Sequence, residues 1–187
     1  LADAALMGAR GNSGIIFAQF LYGFSKDIKD SPTMTIAEFA ECVRSGSECA
    51  YYALANPKEG TMISVIKDWA NNIYETKDDT DDFTTLLLGA LTVAMESLKQ
   101  TGKFIAAKAK TFVDAGAKGF AVFLEGMCEY FNSGEKSVQI AEAEIVDSEW
   151  LGGISHEVIT FRYCTEALLI GEGLEREKIS SLIETMG

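Results

Sequence analysis

Apolar residues recur at helical spacing through most of residues 1–134. They stand three or four positions apart in residues 36–54, and the same spacing returns in residues 62–73, 83–98 and 120–131. This recurrence gathers the apolar side chains on one face of an α-helix. Because no alternating strand pattern interrupts these segments, residues 1–134 are predicted to form an all-α domain, an antiparallel bundle or barrel of amphipathic helices.

Polar residues mark where several of these helices are expected to begin. Thr35 and Glu38 have the spacing of a capping box, in which each residue satisfies a backbone N–H of the other. Thr61 is expected to cap the helix that follows it. The acidic residues in 78–82 are expected at the start of the next helix, where the helix dipole favours negative charge.

The pattern changes after residue 134. Residues 135–155 are charged and irregular and are predicted to be a linker, whereas residues 156–170 are rich in β-branched and aromatic residues and predict a strand. A short amphipathic helix is predicted within residues 172–186. A single strand leaves its edges unpaired. We therefore expect residues 156–187 to be the start of a second, α/β domain that is incomplete in this chain.

Charge and cysteine content restrict the partners and the compartment. The formal net charge of −12 over 187 residues opposes binding to a nucleic-acid backbone or an anionic membrane. The longest apolar stretches fall short of the roughly 20 residues that cross a bilayer, so no membrane span is expected. Cys42, Cys49, Cys128 and Cys164 form no Cys-x-x-Cys pair. Reduced thiols in a cytoplasmic protein are therefore expected.

A glycine-spaced stretch, Gly8-Ala9-Arg10-Gly11-Asn12-Ser13-Gly14, directly precedes the apolar residues 15–21. Glycine lets a backbone approach another group closely, and the free N–H groups at a helix start attract phosphate. The alternative is a stripe of small residues where two helices pack, and the residues alone leave both interpretations open. A second helix start with glycines, residues 114–119, carries a carboxylate at Asp114. Arg10 and Lys118, beside these turns, either approach a phosphate or are solvated surface charges.

Three motifs carry a family resemblance. The stretch at residues 8–14, Gly60-Thr61-Met62 and Asp114-Ala115-Gly116-Ala117 resemble, in order and spacing, nucleotide-site elements of the L-subunit domain of dihydroxyacetone kinases. The form of the first motif, together with Phe161-Arg162-Tyr163-Cys164-Thr165-Glu166, is similar to the ATP-binding subunit of bacterial fatty acid kinase. The resemblance covers about residues 1–133 and 155–187.

The resemblance implies a helical barrel with ATP at one end. It implies that Gly11, Asn12, Ser13 and Gly14 lie against the phosphates, with Thr61 and Met62 near the nucleotide. It also implies that the turn of Asp114 and Gly116 closes over the nucleotide.

The family holds two magnesium ions with an Asp-Gly-Asp-Thr-Gly loop upstream of the first motif, and this chain lacks that loop. No catalytic residue is therefore expected in this chain, which alone should be inactive. The resemblance also implies that Cys164 is a zinc ligand in a longer chain that supplies histidines. Here Cys164 is expected to be a bare thiol, since His156 lies eight residues away on the predicted strand.

The function that the resemblance implies is transfer of the terminal phosphate of ATP to a fatty acid carboxylate presented by a fatty-acid-binding partner protein, giving an acyl phosphate. One alternative is phosphorylation of dihydroxyacetone held by a partner subunit. Another is a helical scaffold or regulatory module without turnover. A homodimer is also compatible with the resemblance.

Overall fold

The computed structural model describes residues 2–105, 113–134 and 169–185. The chain divides into two compact units, residues 1–138 and 139–187. The described part of the first unit contains α1 (Ala2–Gly8), α2 (Gly11–Lys26), α3 (Ile36–Tyr52), α4 (Met62–Thr76), α5 (Phe83–Ile105) and α6 (Ala115–Ser133). The described part of the second unit contains α7 (Arg176–Glu184), inside the predicted helix of residues 172–186.

The described residues are helical wherever they have regular structure, which confirms the all-α prediction. The predicted linker and nearly all of the predicted strand, residues 135–168, lie outside the described residues. The proposed division into a helical domain, a linker and an incomplete α/β domain therefore stays a prediction.

The first unit is a helical bundle held together mainly by contacts between successive helices. Each helix from α1 to α6 packs against the next along the chain, and α4 also packs against α6. The first five residues of α4, Met62–Ile66, are all buried because helices surround this end on several sides. Aromatic side chains join α2 to α6, with ring centroids 5.1 Å apart for Phe17 and Phe123 and 5.8 Å apart for Phe20 and Phe120.

A cluster of large aromatic side chains forms the centre of the core. Trp69 is 2% exposed, and its ring lies 5.8 Å from that of Phe120 and 6.0 Å from that of Phe20. Edge-to-face aromatic pairs of this kind add about 0.5–1.5 kcal/mol beyond the area they bury. Trp69 and Phe120 therefore belong to the hydrophobic core of the bundle.

The helix boundaries test the predicted caps. The capping box at α3 is confirmed, since the Glu38 N–H donates to Thr35 Oγ1 at 3.2 Å and the Thr35 N–H donates to Glu38 Oε2 at 3.0 Å. Asp82 accepts from the N–H of Thr85 at 2.8 Å, so the acidic residues do begin α5. The prediction for Thr61 is wrong. Thr61 occupies the N-cap position of α4, but its hydroxyl donates to the Lys58 carbonyl at 2.7 Å and caps nothing.

Two glycines bring α2 and α3 into close contact. A methyl group at Gly23 would lie 2.5 Å from the Ser45 carbonyl oxygen, and one at Gly46 would lie 2.8 Å from that of Phe20. Both distances are shorter than any ordinary carbon–oxygen contact. Because glycine has no side chain, Gly23 and Gly46 let the two backbones approach each other closely. Gly23 lies inside α2, which continues to Lys26.

Candidate functional site

A cavity of about 440 Å³ opens where the first turns of α2, α4 and α6 meet. This volume lies in the range of about 300–1,000 Å³ that is usual for small-molecule sites. It is lined by residues of all three helices: Ser13, Gly14, Phe17, Met62, Ala115, Gly116, Gly119, Phe120 and Phe123. The structure thus brings together four of the predicted site residues, Ser13, Gly14, Met62 and Gly116, from three separate motifs.

The polar end of the cavity is formed by helix N-termini. Arg10 and Thr61, the N-cap residues of α2 and α4, make no side-chain capping hydrogen bond. The first N–H groups of these two helices therefore receive no capping side chain, and the positive ends of their dipoles lie at the cavity. An anionic group placed there would accept hydrogen bonds from the backbone and lower the electrostatic energy.

The carboxylate of Asp114, the N-cap residue of α6, caps the start of that helix. Asp114 Oδ2 accepts from the Ala117 N–H at 2.7 Å, which satisfies one of the free donors of the first turn. The first and third motifs then touch directly, because a methyl group at Gly116 would lie 2.9 Å from Ser13 Cβ and closer still to its Oγ. Only glycine at position 116 allows this approach of α6 to α2.

The glycines of the first motif do not pack against another helix. Nothing lies within 4 Å of a methyl group placed at Gly8 or Gly11, and the nearest atoms to one at Gly14 are those of Ala9 at 3.6 Å. The packing-stripe interpretation of this motif is therefore wrong. Gly11, the first residue of α2, has φ of +68°, in the left-handed region that favours glycine.

The other predicted site residues flank the cavity without lining it. Gly11 and Asn12 are exposed at the start of α2, and Thr61 directly precedes Met62. The Asp114 carboxylate is engaged in capping α6. Arg10 donates to the carbonyls of Met7 at 3.1 Å and Ala9 at 2.6 Å, so its guanidinium is bound to backbone.

Sequence reasoning missed most of the apolar wall. Phe17, Gly119 and Phe123 line the cavity, and Phe123 is 42% exposed. Helical spacing contained the missing signal, because Phe17 is three residues after Gly14, and Gly119 and Phe123 are three and seven residues after Gly116. These residues share a helix face with the motif glycines.

The described residues do not fit the two-magnesium site that the resemblance implies. Among residues 2–105, 113–134 and 169–185, no three His, Cys, Asp or Glu side chains group so as to hold a metal ion. Asp82 instead caps α5, and hydrogen bonds from Thr85 lower the pKa of its carboxyl group. Cys164 and His156 lie outside the described residues.

The described residues include three cysteines. Cys42, Cys49 and Cys128 are free thiols. Cys42 and Cys128 are buried, and burial raises the pKa of both thiols. No helix in the described part of the chain has the length and apolar character needed to cross a bilayer.

Comparison with known proteins identifies the family. Residues 1–129 match the model of the DAK2 domain. An uncharacterized protein of Staphylococcus epidermidis is 34% identical over 170 residues, which cover 88% of this chain and 31% of that protein. Uncharacterized proteins of Staphylococcus saprophyticus and Staphylococcus aureus are each 35% identical over 170 residues, with the same coverage. The chain thus spans about a third of the length of these relatives. It belongs to the DAK2 domain family of kinase-related, nucleotide-binding modules.

Proposed function

We propose that this domain binds ATP in the cavity between α2, α4 and α6 and serves a kinase that phosphorylates a fatty acid held by a partner protein. The observation that carries the proposal is the convergence of three helix N-termini on one cavity with apolar walls. A nucleotide has the matching chemistry, with an anionic tail at one end and, at the other, a flat aromatic base whose faces can stack on apolar side chains.

The anionic tail belongs at the start of α2. The free N–H groups of the first turn are those of Gly11, Asn12 and Ser13, and no side chain caps them. The Ser13 hydroxyl adds a donor at the cavity wall, and Gly14 leaves that wall without a side chain. Backbone donors at a helix start are already oriented, so binding a phosphate there costs little reorganisation. Ser13 and Gly14 are therefore assigned to the phosphates, with Gly11 providing the left-handed turn before them.

The base belongs against the apolar wall. Phe17, Phe120 and Phe123 present aromatic rings to the cavity, and Met62 adds a polarizable thioether. Stacking of a base on an aromatic ring contributes about 1–3 kcal/mol. The turn of Asp114 and Gly116 then lies beside the nucleotide, as the motif resemblance implies.

The reaction proposed for the whole protein is a phosphoryl transfer. A carboxylate oxygen of the fatty acid bonds to the terminal phosphorus of ATP, the bond from that phosphorus to the bridging oxygen breaks, and ADP leaves. Such transfers depend on positioning and on electrostatic stabilisation of the phosphoryl group, with little covalent work for the protein. Magnesium, when bound in this family, neutralises phosphate charge. This chain's described residues contribute binding and orientation of the nucleotide.

Two observations support a fatty acid over dihydroxyacetone as the acceptor. The first motif and the segment around Cys164 resemble those of the fatty acid kinase branch. The relatives are also about three times as long as the span they share with this chain, and a long additional region is expected of that branch. Incubating the full-length protein with ATP, magnesium and each candidate partner with its acceptor distinguishes the two kinases. Phosphate transfer to neither acceptor would favour the scaffold interpretation.

A glycine pair on α6 provides a matched test of the binding site. Gly119 lines the cavity, whereas Gly126 does not, and both are exposed helical positions with nothing within 4 Å of an added methyl group. Gly119→Leu should fill the cavity and weaken ATP binding at least roughly tenfold, a change of about 1.4 kcal/mol, while Gly126→Leu should leave it unchanged. Both variants should fold, since leucine favours a helix over glycine.

The measurement is calorimetric titration of the full-length protein with ATP in the presence of magnesium. Equal ATP affinity in wild type and Gly119→Leu would place the nucleotide elsewhere and overturn the assignment.

A further inference from the structure

Thr101 is a polar residue of α5 with no exposed surface. Its hydroxyl donates to the Leu98 carbonyl at 2.8 Å and accepts a hydrogen bond from the backbone N–H of Asp114 at 3.3 Å. Burying a hydroxyl is costly unless it is hydrogen bonded, and this one has partners in both directions. The side chain thereby ties α5 to the residue that caps α6.

The connection continues into the first turn of α6. Asp114 accepts from the Ala117 N–H through its carboxylate at 2.7 Å and from the Lys118 N–H through its carbonyl at 2.9 Å. A continuous series of hydrogen bonds therefore runs from α5 through Thr101 and Asp114 to the turn that contains Gly116. The hydroxyl of Thr101 is thus one point at which that turn is attached to α5.

The cavity is sensitive to where that turn lies. Gly116 already approaches Ser13 so closely that a methyl group would not fit between them. A shift of α6 toward α2 would produce a clash, and a shift away would widen the space between the two helix starts. Groups that bind a ligand must be held within about 0.5 Å of the geometry that binds it.

We propose that Thr101 is a positioning residue for the nucleotide site, holding the start of α6 in register with the start of α2. This inference rests on the proposed function, since the register matters for ligand binding only if the nucleotide occupies the cavity. Thr101 lies outside the cavity lining and acts through Asp114.

Ser97 provides a matched control on the same helix. It is 9% exposed, and its hydroxyl donates to Asp68 Oδ2 at 2.6 Å, linking α5 to α4 rather than to the start of α6. Neither Ser97 nor Asp68 lines the cavity. Ser97→Ala therefore removes a comparable hydrogen bond of α5 without disturbing α6.

The experiment measures the thermal midpoint and the calorimetric affinity for ATP with magnesium in four full-length proteins: wild type, Thr101→Val, Thr101→Ser and Ser97→Ala. We expect Thr101→Val and Ser97→Ala both to lower the midpoint, because each removes a hydrogen bond of a poorly exposed hydroxyl. Only Thr101→Val should weaken ATP binding, by roughly tenfold, whereas Thr101→Ser keeps the hydroxyl and should stay within about twofold of wild type.

The outcomes separate this inference from the proposed function. A wild-type protein that does not bind ATP refutes the proposed function and the inference together. A wild-type protein that binds ATP, with a folded Thr101→Val variant of equal affinity, refutes the positioning role alone. If the valine variant is unfolded at the assay temperature, Thr101→Ala replaces it in the same titration, with the same expected loss and the same refuting result.

Discussion

Two sets of glycines in this bundle differ in what surrounds them. At the crossing of α2 and α3, the space beside Gly23 and Gly46 is filled by backbone carbonyls of the opposite helix. At the start of α2, the space beside Gly8 and Gly11 is open, and Gly14 lines a cavity. The residue type is the same in both places. What differs is whether another helix or open space lies beside the missing side chain.

The helix starts show a parallel contrast. At the start of α3, the side chains of Thr35 and Glu38 accept hydrogen bonds from backbone N–H groups, so fewer free N–H groups remain there to bind an anion. At α2 and α4 no side chain performs this task, and both ends lie at the cavity. The bundle therefore keeps its uncapped helix starts where a ligand is proposed to bind. Three substitutions test these two contrasts.

The largest effect on folding is expected for Gly23→Ala. The new methyl group would lie 2.5 Å from the Ser45 carbonyl and 2.7 Å from Cys49 Cβ, so α2 and α3 must separate. Overpacking of this kind should lower the free energy of unfolding by about 2–3 kcal/mol, measured by urea denaturation. The control is Gly89→Ala on α5, where nothing lies within 4 Å and alanine should stabilise by about 0.5–1 kcal/mol. Equal effects at the two positions would contradict the close crossing.

A smaller effect on folding and a direct effect on the site are expected for Gly116→Ala. The methyl group would displace Ser13, and we expect a loss of about 1–2 kcal/mol in unfolding free energy together with roughly tenfold weaker ATP binding. Ser13→Gly removes the atoms that clash. The double variant should therefore recover much of the stability lost in Gly116→Ala, and a double-mutant cycle with no coupling would contradict the contact.

The smallest effect concerns the capped start of α3. Hydrogen bonds from Lys29 and then from Thr35 hold the pKa of Glu38 at about 2, below its usual 4.5. The stabilisation from this carboxylate is complete above pH 4.5 and is lost as the pH falls toward 2. Calorimetric midpoints between pH 5 and pH 2 should therefore fall less in Glu38→Gln than in wild type. An identical pH dependence in both proteins would show that the capping carboxylate contributes nothing measurable.

Local signals in the sequence predicted much of the bundle. The capping box of Thr35 and Glu38 and the acidic start at Asp82 involve residues close in the chain, and both are found as expected. The end of α2 was not predictable in this way. Glycine is common at helix ends, but Gly23 lies inside α2, where it makes room for Ser45 and Cys49 of a different helix.

The residues of the candidate site were likewise predicted only in part from the sequence. Motif order indicated Ser13, Gly14, Met62 and Gly116, which the structure places around one cavity. The prediction that the Thr61 side chain caps α4 was wrong, because its hydroxyl donates to the Lys58 carbonyl instead. The aromatic wall was missed because helical spacing places Phe17 and Phe123 on the same face as the motif glycines, but does not indicate whether that face meets a cavity or a core.

By itself, the amino-acid sequence determined the helices, most of their starts and the family to which the chain belongs, because these follow from periodicity and short motifs. Only the tertiary structure decided which glycines are covered and which are open, and that three helix starts surround one space. The physical reason is distance along the chain. Contacts such as that of Ser13 with Gly116 join residues about a hundred positions apart, and only the packing of the whole bundle brings them together.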